Sequence, residues 1–124
     1  MNFNTLYCDL ACPFCKQKIL SGVGFQLGII ANLKYKQGEK LKWDGGQTRP
    51  VVRPACGNFK TIGYFNCDNI TCSSWQDCYP SVQEALITVA NDIIVAVEVY
   101  EGETIPDKFA IIEPLEKNRG PASK

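Results

Sequence analysis

No histidine occurs anywhere in this chain of 124 residues. With it go the Ser-His and Cys-His nucleophile pairs and the histidine general base, so the commonest hydrolytic machineries are excluded. Long hydrophobic runs are missing too. The longest, Ile93 to Val97 and Phe109 to Ile112, are strand-sized, well short of the roughly 20 apolar residues of a spanning helix. The start, Met1-Asn2-Phe3-Asn4-Thr5-Leu6-Tyr7, has neither the basic nor the apolar region of a secretory signal. No glycine-rich loop opens a helix to cradle phosphate, since Gly45-Gly46 reads as an ordinary loop. Acidic residues are numerous enough for acid–base work, but no two stand in a context that singles them out. The expectation is a chain that is not an enzyme, has no evident small-molecule substrate and does not enter a membrane.

Net charge is likewise absent, with 13 basic and 13 acidic residues. The balance is local, however. Residues 1–60 hold nine Lys/Arg against three Asp/Glu, a balance of +6, and residues 61–124 hold four against ten, a balance of −6. Strands of opposite charge that neutralise each other explain this simply; a basic and an acidic face that steer a partner explain it more sharply. An apolar fraction of 45% is that of a globular chain. One β domain over 1–113 and a frayed polar tail over 114–124 are expected.

What the chain does have is cysteine, seven in all. An odd count without an export signal points to a reducing, cytoplasmic setting and to metal or redox use over a disulfide framework. Cys12-Pro13-Phe14-Cys15 forms one close pair, and Cys67 and Cys72 form another far along the chain. Two such pairs are how a small protein closes a tetrahedral Zn²⁺ site, and the proline fixes a φ that lets amide N–H groups point at sulfur. The ligand set read from spacing is Cys12, Cys15, Cys67 and Cys72, holding one structural zinc; iron takes the same donors. Cys8 competes with Cys12, and Cys78 is a further substitute. Cys56, with nothing paired near it, reads as a free or buried thiol. Cys-Pro-aromatic-Cys also occurs in thiol redox enzymes, where the first thiol sits at a helix N-terminus; here glycines at 22 and 24 stop a helix after about one turn.

Residue patterning predicts strands. Val23 to Leu27 and Leu33 to Lys36 alternate, Gln37-Gly38 reads as a turn, and Glu39 to Trp43 alternates again, completing a hairpin. Residues 44–57 read as a long loop. Asn58 to Asn66 reads as a strand leading to Cys67. The clearest signal is a hairpin of Ala85 to Ala90 and Ile93 to Tyr100 about Asn91-Asp92, with a helix over Val82 to Ala90 as the alternative. A last strand is expected over Lys108 to Ile112. The fold class expected is all-β, with long loops and little helix.

Three stretches in particular, Cys12-Pro13-x-Cys15, Gly24-Phe25-Gln26-Leu27-Gly28 and Tyr35-x-x-Gly38-Glu39-x-Leu41-x-Trp43, are followed by the second cysteine pair and by Asn91-Asp92-Ile93-Ile94-x-x-Val97. As a set they resemble a family of small, largely uncharacterised bacterial zinc-ribbon proteins of rubredoxin-like fold. The resemblance covers about 70% of the chain. The chain departs from the pattern at Lys16, where such knuckles commonly carry glycine, and in its Cys-x₄-Cys second pair. The resemblance implies a zinc-bound antiparallel scaffold without catalytic residues. Proteins of this size and type include immunity partners of bacterial toxins, an analogy at the level of fold and size.

A protein partner is therefore the first expectation, with an aromatic anchor at Trp75 or Tyr79 beside the second knuckle; Trp75 capping the small core is the plainer reading of that residue. Nucleic-acid association is the alternative. It would use Lys34, Lys36, Lys40, Lys42, Arg49 and Arg53, with Tyr35 and Trp43 interleaved.

Overall fold

The computed structural model describes residues 3–49, 54–102 and 111–112. Eleven strands are formed among them and no α-helix: β1 (Asn4–Tyr7), β2 (Val23–Phe25), β3 (Gly28–Ile29), β4 (Lys34–Lys36), β5 (Thr48–Arg49), β6 (Phe59–Phe65), β7 (Trp75–Gln76), β8 (Tyr79–Pro80), β9 (Gln83–Ala90), β10 (Ile93–Val99) and β11 (Ile111–Ile112). A single 3₁₀ turn spans Pro54–Gly57. The fold is all-β, as expected. No helix among the described residues is long and apolar enough to cross a membrane.

One seven-stranded sheet dominates, in the order β10-β9-β6-β2-β1-β4, with β11 beside β6. Its backbone is the β9–β10 hairpin. Asn91 and Asp92 both take left-handed backbone, φ 52° and 67°, as a two-residue turn matched to strand twist requires. Alternation along β9 then turns Ala85, Ile87 and Val89 inward, all at most 2% exposed. They meet Phe59 and Phe65 of β6, Val23 and Phe25 of β2, Leu6 of β1 and Ile94 of β10 in one buried core. Tyr35 joins it from β4, its ring 5.8 Å from that of Phe25. Where β2 crosses β6 the backbones approach closely, and a Cβ on Gly63 would lie 2.6 Å from Val23 and 2.9 Å from the Gly24 carbonyl.

Two expectations need correction. Leu33–Lys36 and Glu39–Trp43 do not pair as a hairpin. The Gln37-Gly38 turn forms, closed by Glu39 N donating to the Lys36 carbonyl (3.0 Å), but β4 pairs in parallel with β1. Residues 38–41 cross instead to β10: Gly38 N bonds the Ile94 carbonyl (2.7 Å), Ile94 N the Glu39 carbonyl (3.1 Å) and Leu41 N the Asp92 carbonyl (2.8 Å). This joins the two ends of the strand order and partly closes the sheet into a barrel, removing edge groups that would otherwise be bare. Leu41 is thereby buried. The expected loop over 44–57 also contains β5, which pairs with β3 through Gly28 opposite Arg49 and Ile29 opposite Thr48. The last expected strand is seen at Ile111–Ile112; residues 108–110, the domain end at 113 and the tail over 114–124 lie outside the described residues.

Candidate metal centre

β1 and β6 both run antiparallel to β2, so both end at the same end of the sheet. Their continuations carry the two cysteine pairs, and that topology brings residues 12–15 and 67–72 together. Local bonding shapes each continuation. In the first, Cys12 N donates to the Gln17 carbonyl (2.9 Å), Lys16 N to the Cys12 carbonyl (2.8 Å) and Ile19 N to the Leu10 carbonyl (2.8 Å). Lys16 adopts φ 69°, the left-handed conformation that glycine adopts most readily. Lysine is held there with its Nζ donating to the Pro13 carbonyl at 2.9 Å.

The wider second pair is closed by a different device. Asn69 Oδ1 accepts from Thr71 N (3.1 Å) and Thr71 Oγ1 (2.7 Å), and Cys72 N donates to the Asn69 carbonyl (2.9 Å). This side-chain turn takes up the extra residues of Cys-x₄-Cys. Trp75 then ties the loop down, its Nε1 donating to the Cys67 carbonyl at 2.9 Å.

The result is one cluster. The sulfurs of Cys12, Cys15, Cys67 and Cys72 all lie within 4.8 Å of one another. Cys12 and Cys72 are 3.7 Å apart, Cys15 and Cys67 3.5 Å. A tetrahedral ion with sulfur at about 2.3 Å needs sulfur–sulfur edges of about 3.8 Å, so the donor set fits a zinc-sized metal. Amide N–H groups point at three of the sulfurs, each from two residues on: Phe14 N to Cys12, Asn69 N to Cys67 and Ser74 N to Cys72, all at 3.4 Å. Ser74 Oγ adds a bond to Cys72 at 3.2 Å, and Gln83 Nε2 reaches Cys12 at 3.8 Å from the start of β9. Such donors stabilise thiolate and orient it.

Electrostatics follow from these bonds. Burial would push the Cys12 thiol up, but amide donors at Cys15 and Phe14, with Gln83 and Cys72, outweigh it and bring it down to about 6. Ser74 lowers Cys72 through its hydroxyl and its amide. Cys67 goes the other way, to about 12, because burial and the three neighbouring sulfurs oppose a further negative charge. A divalent cation relieves that conflict. Cys12, Cys67 and Cys72 are buried and Cys15 is half-buried.

The alternative ligands lie elsewhere. Cys8 is half-buried against the core, with its thiol pushed up by burial and by Asp9, against the opposing pull of Lys18; it is not in the cluster. Cys56 and Cys78 are exposed and also outside it. No described helix follows Cys12, so the helix N-terminus on which the redox reading depends is not there.

Of the two expected anchors, Trp75 is half-buried and packs on the core, while Tyr79 is 76% exposed in the β7–β8 hairpin. The aromatic residues of the nucleic-acid alternative turn inward. Tyr35 is buried and accepts from Lys42 N at 3.2 Å, and Trp43 donates from Nε1 to Asp92 at 3.1 Å. Lys34, Lys36, Lys40 and Lys42 are exposed; Arg49 belongs to β5, and Arg53 lies outside the described residues.

Sequence reasoning missed Ser74, Gln83 and Asp68. Asp68 Oδ2 accepts from Leu20 N (2.6 Å) and Ser21 N (3.2 Å), clamping the second knuckle to the chain leaving the first. Only the Cys-Ser-Ser run hinted at any of them. Comparison with protein-family models, with curated proteins and with solved structures gives no match in any of the three.

Proposed function

We propose that the chain is a non-catalytic β module stapled by one structural zinc ion in a Cys₄ site of Cys12, Cys15, Cys67 and Cys72, and that it works by contact with a macromolecule. The observation that carries this is the convergence of four sulfurs at tetrahedral spacing, three of them under amide donors. Four protein ligands leave no open coordination position, which is the arrangement of a structural and not a catalytic site. Two knuckles at one end of a largely antiparallel sheet support the zinc-ribbon, rubredoxin-like assignment. Reduced thiols at such a site are in keeping with a cytoplasmic protein.

The contact surface we favour for a protein partner is the β7–β8 hairpin. It leaves the second knuckle directly, Trp75 pins its base, and Tyr79 projects with 76% of its surface exposed. An exposed aromatic on a metal-fixed backbone is a suitable interface anchor. An immunity or inhibitor role against a bacterial toxin is the form this contact takes by analogy of size and fold.

Elemental analysis of the natively purified chain tests the core of the proposal. About one zinc per chain, released by a strong chelator with loss of the folded signal, is expected. Iron in its place would keep the site but change the metal. Neither metal, with all seven thiols freely titratable, would overturn it.

A further inference from the structure

The outer face of the sheet carries a second surface that the metal centre does not use. β1 and β4 run in parallel, with Thr5 opposite Lys34 and Tyr7 opposite Lys36. Strand alternation puts Phe3, Thr5 and Tyr7 on one side of the sheet, away from the buried Asn4 and Leu6. Phe3 is 44% exposed and Tyr7 38%, and both lysines are exposed.

The neighbouring strand explains how the rings are held. A Cβ on Gly24 would stand 3.2 Å from the Phe3 ring, and one on Gly22 would stand 3.2 Å from the Tyr7 ring and 2.6 Å from Thr5. Both rings lean over bare glycine backbone, supported beneath and open to solvent above. Each also borders a recess. One of about 300 Å³ lies beside Phe3, walled by Tyr64 and Val82. The other, of about 460 Å³, lies beside Tyr7 and is lined by Lys18, Leu20 and Lys36.

Charge concentrates on the same side. Lys34 leads to a cleft it shares with Lys40 and Lys42, and Lys18 lies with Lys36 at the other recess. Among the described residues lining these two recesses, Glu39 stands with Lys34, Lys40 and Lys42, and Asp9 with Lys18 and Lys36; Lys40 and Lys42 also border Asp44 and Asp92, so the basic excess is carried by Lys18, Lys34 and Lys36.

We propose that this face binds a single-stranded nucleic acid, with bases stacked on Phe3 and Tyr7 and phosphates along Lys34, Lys36 and their neighbours. The two rings are four residues apart, about 13 Å along an extended strand, which is far enough to take two separate bases. Exposed aromatics with a basic track are what unpaired strands need. A duplex hides its bases from such rings, and an acidic peptide would engage the lysines but not the rings. The proposal goes beyond the protein-contact reading: it assigns a second surface, on residues that take no part in the metal centre or in the β7–β8 hairpin.

Fluorescence anisotropy of the metal-loaded full chain tests it, with short labelled RNA and DNA single strands of mixed sequence, the matching duplex, and a glutamate-rich peptide of equal charge as probes. Binding of either single strand is expected, weakening roughly fifty-fold between 50 and 200 mM salt if about four phosphates are engaged. Phe3→Leu and Tyr7→Leu keep the glycines covered but cannot stack, and each should weaken binding about five-fold or more. Lys34→Gln with Lys36→Gln should reduce the salt slope by about 0.7 per lysine. Zinc content and urea midpoint, measured on every variant, separate loss of this surface from loss of the stapled fold. No single-strand binding at low salt, equal binding of the duplex or the peptide, or unchanged affinity in the leucine variants would each overturn the proposal.

Discussion

Asn4 makes four hydrogen bonds with its side chain. It is fully buried, and its amide donates to the carbonyls of Leu27 (3.1 Å) and Ile29 (2.8 Å) while its Oδ1 accepts from Ala31 N (3.4 Å) and Leu33 N (3.0 Å). Four groups of one loop depend on it, so Asn4→Ala should cost roughly 2–4 kcal/mol by leaving them unmet in the interior. Urea denaturation of wild type and variant at equal metal loading measures this. Asp68 offers a pH test. Burial opposes its charge, but the Leu20 amide and the Ser21 hydroxyl and amide prevail and hold its carboxyl below the ordinary value. A group with a depressed folded pKa gives stability that is present above its unfolded value, about 3.9, and lost as pH falls through the lower folded one. The gap in urea midpoint between wild type and Asp68→Ala should therefore be full at pH 6 and close as pH falls below about 4. A gap that widened on acidification would contradict the clamp.

At the scale of elements, the β9–β10 hairpin was the clearest signal in the sequence. β-rich runs on either side of the two-residue Asn91-Asp92 turn favour the hairpin over the alternative helix at Val82 to Ala90, but they do not announce the register shift between Ile94 and Ala96. The structure adds a reason for Asp92 that its turn role does not supply, since it accepts from Trp43 at 3.1 Å across the barrel closure. Asp92→Gly keeps the backbone freedom and removes that acceptor. It should cost about 1–3 kcal/mol and expose Trp43, read as a red shift in its fluorescence relative to an Asn91→Gly control. β1 was not legible. Only four residues long and paired in parallel with β4, it has no turn signal to announce it, and each residue's parallel partner is 29 residues away.

For the molecule as a whole, the two knuckles join chain segments more than 50 residues apart, and a small core gains most from such a staple. Chelation should therefore lower the thermal midpoint of the entire sheet and not of one loop, as followed by far-ultraviolet circular dichroism. Metal affinity should fall on acidification, since protons compete for the same sulfurs. Among single substitutions, Cys12→Ser should lose most of the bound metal, whereas Cys8→Ser and Cys78→Ser should keep about one ion per chain. Retained metal in Cys12→Ser with loss in Cys8→Ser would exchange their roles.

Fold class and the two cysteine pairs were written in the sequence. β-branched runs, glycine placement and the Asn-Asp turn favour strands, and cysteine spacing marks two close pairs, because both rest on interactions between near neighbours. Tertiary structure decided what near neighbours cannot. Whether Glu39–Trp43 folds back on β4 or crosses to β10 depends on which pairing buries Leu41, and both alternate equally well in sequence. Spacing likewise could not choose among Cys8, Cys12 and Cys78; the bonds that fold residues 10–19 back on themselves accompany Cys12, and not Cys8, at the sulfurs of Cys67 and Cys72. Lysine positions along β4 were readable, but the aromatic residues beside them come from β1, because sheet register and not sequence order determines which side chains share a face.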